Sequence, residues 1–150
     1  MKKLGSSLII VLLFICLLAG IRTGSVDPER RKLSTYQTFT SRLDNGKPDI
    51  YLITKGYASH YWTDLRLGAM EAAQELDCNI YMGGTPSEEN PELLAYLMTE
   101  ALRRGADAII VSPTNVSSVV KAAKQIQEAD VPLVFVDTIL NEQVFDACYE

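Results

Sequence analysis

The residues able to do chemistry in this 150-residue chain are few and fall in short groups. Asp137 is a carboxylate that can accept hydrogen bonds from two neighbouring hydroxyls, and Thr138 follows it. Ser112, Thr114 and Asn115 surround Pro113 and offer both donors and acceptors. Tyr61 and Trp62 are adjacent and present flat apolar faces for a ring, with polar tips. Ser59 and His60 lie just before them. Together these types suit holding a small polyhydroxylated ligand. They do not suit transforming one. His60 is the sole histidine, and nothing in the sequence supplies it with a catalytic partner. There is no GxGxxG after a strand, no GxxxxGK[ST] and no GxSxG, so dinucleotide, phosphate-loop and nucleophile-elbow chemistry are unsupported. A phosphate-accepting receiver would need an acidic pair after the first strand, where this chain has Thr54-Lys55-Gly56. Three sparse cysteines show no metal-ligand spacing and form no disulfide framework. No cofactor, metal site or enzyme activity is expected.

The elements that must position these groups read as alternating strands and helices. A short apolar strand at Asp49–Thr54 is followed by a loop, Lys55–His60, and a helix at Tyr61–Leu76. Leu65, Gly68, Ala69, Ala72, Ala73 and Leu76 share one face of that helix, and the small residues suggest close approach to a sheet. A second strand, Cys78–Met82, ends in Gly83-Gly84-Thr85. Asn90-Pro91-Glu92 starts the next helix, striped by Leu93, Leu94, Leu97, Met98, Ala101 and Leu102 and closed by Arg103, Arg104 and Gly105. A third strand spans Ala108–Val111. Thr114 or Asn115 caps a helix that runs to Glu128, striped by Val116, Val119, Val120, Ala123 and Ile126. A fourth strand, Val131–Val136, ends at Asp137, and Gln143–Glu150 suits a further strand. The period of roughly 28 residues is that of βα units, and near-continuous Val/Ile/Leu strands mean a sheet covered on both faces. The expected fold is α/β: an open parallel sheet with helices on both faces, a Rossmann-like lobe. In such sheets ligands bind outside the carboxyl ends of the strands, which is where all the groups above fall.

Residues 1–25 differ from the rest. Lys2 and Lys3 precede an apolar run from Leu8 to Ile21, the pattern of a secretory signal. Leu4 to Ile21 is also long enough for an uncleaved membrane anchor. Both readings export the body to the periplasm or the outer face of the cell membrane. Residues 26–48 read as a polar linker, with a juxtamembrane helix over Glu29–Leu43 and a turn at Asp44-Asn45-Gly46. The lobe itself occupies 49–150. The chain has a net charge of −5, and the first 25 residues hold three bases and no acid, so the body is more acidic still. That argues against a nucleic-acid partner, which needs a basic surface.

Three stretches carry a family resemblance: YLITKGYASHYWTDLRLGAMEAAQEL, ALRRGADAIIVSPTN and ADVPLVFVDT. Residues 49–150 resemble the N-terminal lobe of type 1 periplasmic binding proteins, the ribose- and galactose-binding group. The resemblance implies two similar lobes joined by a hinge with ligand between them, so residue 150 falls near the fifth strand of the first lobe and a fragment is expected. It implies a small polar solute, most simply a sugar, as ligand. It also implies an ABC permease, a chemoreceptor or a sensor kinase as partner. By position, Tyr61 and Trp62 match paired aromatics that stack on the sugar. Ser59 stands where an Asn commonly bonds the ligand, Ser112 takes the polar position before Pro113, and Asp137 matches the acidic ligand residue. Ser59-His60 replaces the usual Asn-Pro, and Thr138 replaces an Arg that often follows the Asp. The expected function is extracytoplasmic solute capture for ABC-type uptake. A ligand sensor feeding a histidine kinase or chemoreceptor is the alternative, and an α/β enzyme is a third reading. Permease and ATPase genes nearby favour transport; a kinase gene favours sensing.

Overall fold

The computed structural model describes residues 38–57, 59–87, 89–114, 117–141 and 144–149. The expected signal or anchor at 1–25 lies outside them. Among the described residues no helix is long and apolar enough to cross a membrane. The elements are β1 (Asp49–Thr54), α1 (His60–Glu75), β2 (Asn79–Gly84), α2 (Pro91–Arg103), β3 (Ala108–Val111), α3 (Ser117–Glu128), β4 (Leu133–Val136) and β5 (Ala147–Tyr149). The strands form one sheet in the order β2-β1-β3-β4-β5, and every neighbouring pair is parallel. The open parallel α/β sheet expected from the sequence is therefore the fold.

Alternation along each strand divides the sheet into two faces. Tyr51 and Ile53 of β1, Ile109 and Val111 of β3, and Leu133 and Phe135 of β4 point into one buried cluster. Leu94, Leu97, Met98 and Ala101 of α2 and Val119, Ala122, Ala123 and Ile126 of α3 complete it. The two helices pack on each other as well as on the strands. Both stripes were largely legible, because each helix carries a strong 3.6-residue periodicity; Ala122 was not expected, and Val116 lies outside the described residues. Gly105 ends α2 in the left-handed region (φ +77), as expected of a glycine just past a helix.

The other face departs from the sequence reading. Right-handed crossovers put α1 there, where it packs chiefly against β2. Its buried residues are Trp62 and Ala73, with Leu65 and Ala69 half-buried. Gly68 and Ala72 are exposed, and Leu76 is 75% exposed. The inward stripe is thus rotated from the one expected, and it centres on Trp62 rather than on the small residues. A Cβ added to Gly68 would meet nothing within 4 Å, so no close approach depends on it. The cause is the large indole: once Trp62 is buried at the first turn, residues three, seven and eleven further on must face inward with it.

Several boundaries moved, among them those of α1, which runs from His60 to Glu75. β2 begins at Asn79 and runs through Gly83 and Gly84, and β4 begins at Leu133, after Pro132. Asn90 precedes α2 without making a side-chain cap bond; its Oδ1 accepts from the Ser87 hydroxyl at 3.0 Å. The helix expected over Glu29–Leu43 is coil in its described part, 38–43.

Residues 38–48, read as linker, are instead fastened to the lobe. Phe39 is buried and meets the Tyr51 ring edge-on at 4.8 Å. Arg42 pairs with Asp49, the Leu43 amide donates to the Tyr81 hydroxyl at 2.8 Å, and Asn45 and Asn79 exchange amide hydrogen bonds at 2.9 Å. Asp49 is only 1% exposed. Burial pushes its carboxyl up, but bonds from Asn79, Arg42 and Tyr81 outweigh that and hold it below the usual range. A buried carboxylate needs such partners. The segment supplies one of them, Arg42.

Candidate functional site

The site is built where β1, β3 and β4 end. Asp137 follows β4 directly and takes a left-handed backbone (φ +69), a conformation Asp tolerates better than most residues. Thr138, next in the chain, donates from its hydroxyl to Asp137 Oδ2 at 2.9 Å. From the other side comes Lys55, which follows β1. Its Nζ lies 3.1 Å from Asp137 Oδ2 and donates to Thr138 Oγ1 at 2.7 Å. β1 and β4 are separated by β3, so the lysine stem crosses the end of β3 to reach them. Two strand spacings amount to roughly 10 Å, within the combined reach of a Lys and an Asp side chain.

Tyr61 closes the cluster from the first turn of α1. Burial pushes the Asp137 carboxyl up, while hydrogen bonds from Lys55, Thr138 and Tyr61 and the charge of Lys55 together hold it below the usual carboxylate range. Tyr61 is 56% exposed and Trp62 only 4%. Their rings meet edge-on at 4.7 Å. The two aromatics therefore do different work. Tyr61 offers the open face, and Trp62 is the buried wall that fixes it.

The turn between β1 and α1 is set by Gly56, at φ +66. A Cβ there would come within 3.2 Å of Trp62 Nε1, so glycine is needed for the backbone angle and for the indole. Thr85, after β2, ties this turn down: its carbonyl accepts from the Tyr57 amide at 2.7 Å, and its own amide donates to the Thr54 carbonyl at 3.0 Å. The Arg66 guanidinium lies over the Tyr57 ring at 3.7 Å. Ser59 is the N-cap of α1; its hydroxyl accepts from the Trp62 amide at 3.5 Å, and it is exposed. Ser112, after β3, is wholly buried, and its hydroxyl has no partner among the described residues. The same holds for the hydroxyl of Thr54 at the end of β1.

Of the six residues named from sequence, Tyr61, Asp137 and Thr138 meet in one cluster, Ser112 lies at the strand end between its two sides, Trp62 stands behind it, and Ser59 caps the helix beside it. Lys55 was missed. Its signal was present: a lysine one residue past a strand with an apolar centre is carried into a buried edge and has to be paired. Asn115 lies outside the described residues, as does the start of the α3 cap. Among the described residues no group of acidic, histidine or cysteine side chains could hold a metal ion, and Cys78 and Cys148 are half-buried thiols.

An open parallel lobe with a polar, aromatic-flanked edge at its strand ends is the architecture of a ligand-binding half-domain. The chain belongs to the periplasmic binding protein domain family, whose sequence profile matches residues 50–150. No curated protein sequence matches it. Among solved structures it is similar to an ABC transporter solute-binding protein from Actinobacillus succinogenes with bound D-allose (26% identity, TM-score 0.62, 67% of this chain and 38% of that one). It is similar also to a solute-binding protein from Agrobacterium vitis with bound D-fucose (26% identity, TM-score 0.63, 67% and 36%). A periplasmic component of a sugar transport system from Hahella chejuensis, 22% identical with TM-score 0.62 over 66% and 36%, shares the fold. The chain thus spans less than two fifths of the length of these proteins.

Proposed function

We propose that this chain forms one wall of the ligand cleft of an extracytoplasmic solute-binding protein, and that the solute is a sugar or a similar small polar molecule. The observation that carries the reading is the cluster of Lys55, Tyr61, Asp137 and Thr138 at the carboxyl edge of the sheet. It combines an ionised acceptor, a cationic donor, two hydroxyls and an open aromatic face, which is what a ring carrying several hydroxyls needs. Family membership and the sugars named with two of the similar structures support the same class. The basic and apolar N-terminal segment supports export, by a cleaved signal or a retained anchor. ABC-type uptake is the role of the similar proteins and the reading we adopt for this one; occupancy signalling to a kinase or chemoreceptor would use the same cleft.

Trp62 is the single tryptophan and stands edge-on to Tyr61, so its emission reports on the cleft. Titration of the full chain with D-allose, D-fucose and D-arabinose is expected to change Trp62 fluorescence with at least one of them. Asp137→Ala is expected to abolish that response while leaving the circular dichroism spectrum intact. A response that survives in Asp137→Ala removes Asp137 from the site.

A further inference from the structure

Asn45-Gly46 is the single Asn-Gly pair in the chain, and it lies in the segment fastened to the lobe. Both residues are exposed, so water reaches them. Gly46 has no side chain to shield its amide nitrogen, and nothing lies within 4 Å of where a Cβ would stand. Among the described residues no hydrogen bond engages that nitrogen. The Asn45 carboxamide is held from its other side. Its Oδ1 accepts from the Lys47 amide at 3.1 Å and from Asn79 Nδ2 at 2.9 Å, while its Nδ2 donates to Asn79 Oδ1 at 2.9 Å. Two N–H donors on one carbonyl oxygen polarise its carbon. They also stand ready for the negative charge that the oxygen gains when the carbon is attacked.

We propose that Asn45-Gly46 is a site of spontaneous deamidation promoted by the fold, and that its conversion loosens residues 38–48 from the lobe. The Gly46 nitrogen loses its proton to solvent base and attacks Asn45 Cγ. A C–N bond forms, and the carbonyl electron pair moves onto Oδ1, between the Lys47 and Asn79 donors. Its return breaks the Cγ–Nδ2 bond, and Nδ2 takes a proton from water and leaves as ammonia. Water then opens the succinimide at one carbonyl or the other, giving aspartate or isoaspartate at position 45. Water is the only co-reactant. The product carboxylate keeps both donors but has no N–H for Asn79 Oδ1. Asn79 Nδ2 also donates to the buried Asp49 at 2.7 Å. Two carboxylates then share one amide, and like charges at one site disfavour each other. Isoaspartate also lengthens the main chain between Asp44 and Gly46. Both changes act on the segment that carries Phe39 and Arg42 onto the lobe.

The test follows each asparagine of the full chain at mildly alkaline pH, folded and in guanidinium chloride. Peptide mapping by mass spectrometry reads amide-to-acid conversion. Asn45 is expected to convert ahead of Asn79, Asn90, Asn115 and Asn141, and faster in the folded chain than in denaturant. Sequence alone would favour Asn45 in both states and would give no advantage to the folded one. An Asn45 amide that outlasts the others overturns the site, and a folded rate at or below the denatured rate overturns promotion by the fold. Asn79→Ala removes one of the two donors and is expected to slow conversion about tenfold, less than a water-excluded site would lose, because this one is open to solvent. An unchanged rate overturns the role of that donor. Should Asn79→Ala not fold by circular dichroism, the folded and denatured rates of wild type decide the same point. Asn45→Asp makes one product directly. It is expected to lower the urea midpoint and to speed exchange of the Leu43 amide, which the Tyr81 hydroxyl holds in wild type. A midpoint and exchange rate equal to wild type overturn the loosening.

Discussion

Two carboxylates, Asp137 and Glu100, show how surroundings hold one chemical group ionised in two ways. Asp137 is held ionised at the strand ends by Lys55, Thr138 and Tyr61, with its side chain 30% exposed. Glu100, on α2 with its side chain only 12% exposed, is held ionised by its own helix. Hydrogen bonds from Arg103 pull its carboxyl down, burial pushes it up, and Arg104 adds to the pull, leaving it at about 2 rather than 4.5. The two arginines sit three and four residues further along, at 2.7 and 2.8 Å. A carboxyl whose folded pKa lies below its unfolded value stabilises the fold above the unfolded value. It loses that contribution as the pH falls towards the folded one. Glu100→Gln is therefore expected to cost about 1 kcal/mol at pH 7, since Arg103 is largely in solvent. The gap between wild type and variant in urea denaturation is expected to narrow as pH falls from about 4.5 towards 2. A gap independent of pH would show that the charge of Glu100 is not what the helix uses.

Among the elements, α1 and the turn before it matter most to the site, and their glycines separate two kinds of constraint. Gly84 of β2 pairs with Thr54. A Cβ on Gly84 would lie 2.5 Å from Tyr57 Cδ2, 2.8 Å from the Thr54 carbonyl and 2.9 Å from its hydroxyl. The Tyr57 ring can shift, but the backbone of the central strand cannot. Gly84→Ala is expected to cost about 2–3 kcal/mol and to weaken the Trp62 response by displacing the 55–59 turn. Gly68→Ala, in mid-helix with open space around it, is expected to stabilise by about 0.5–1 kcal/mol. Urea midpoints of the two variants should move in opposite directions. A loss of stability in Gly68→Ala would restore the close helix–sheet approach that the small residues suggested.

Across the whole lobe, cohesion is uneven. One face of the sheet is sealed by α2 and α3, which pack on each other and on the strands. On the other, α1 buries Trp62 and Ala73 and leaves Leu67, Met70 and Leu76 exposed. Fewer buried contacts mean a lower cost of local opening. Amide hydrogen exchange in the full chain is expected to be faster over His60–Glu75 than over α2, α3, β1 and β3. Equal protection would make α1 part of the same cooperative unit. The helix that carries Tyr61 is thus the one least bound to the core, while the Lys55–Asp137 pair is anchored at strand ends that belong to it.

The alternation of apolar strands with striped helices was enough to establish the order of elements, the parallel sheet and the edge where polar groups collect. These follow from local periodicity and from the geometry of crossovers. Asp137, Thr138 and Tyr61 were singled out the same way, since each lies just beyond a strand or at a helix start. Three things were not legible. The rotation of α1 was hidden because its small residues fit two overlapping stripes, and burial of one indole chose between them. Phe39, Arg42 and Asn45 looked like linker because their partners, Tyr51, Asp49 and Asn79, lie on strands that only the folded sheet brings to them. Lys55 looked like an ordinary loop lysine because its partners are 82 and 83 residues away. Periodicity records which way a side chain faces. It does not record which distant strand end it will meet, and that meeting, across the end of β3, is what turned a list of polar residues into one cluster.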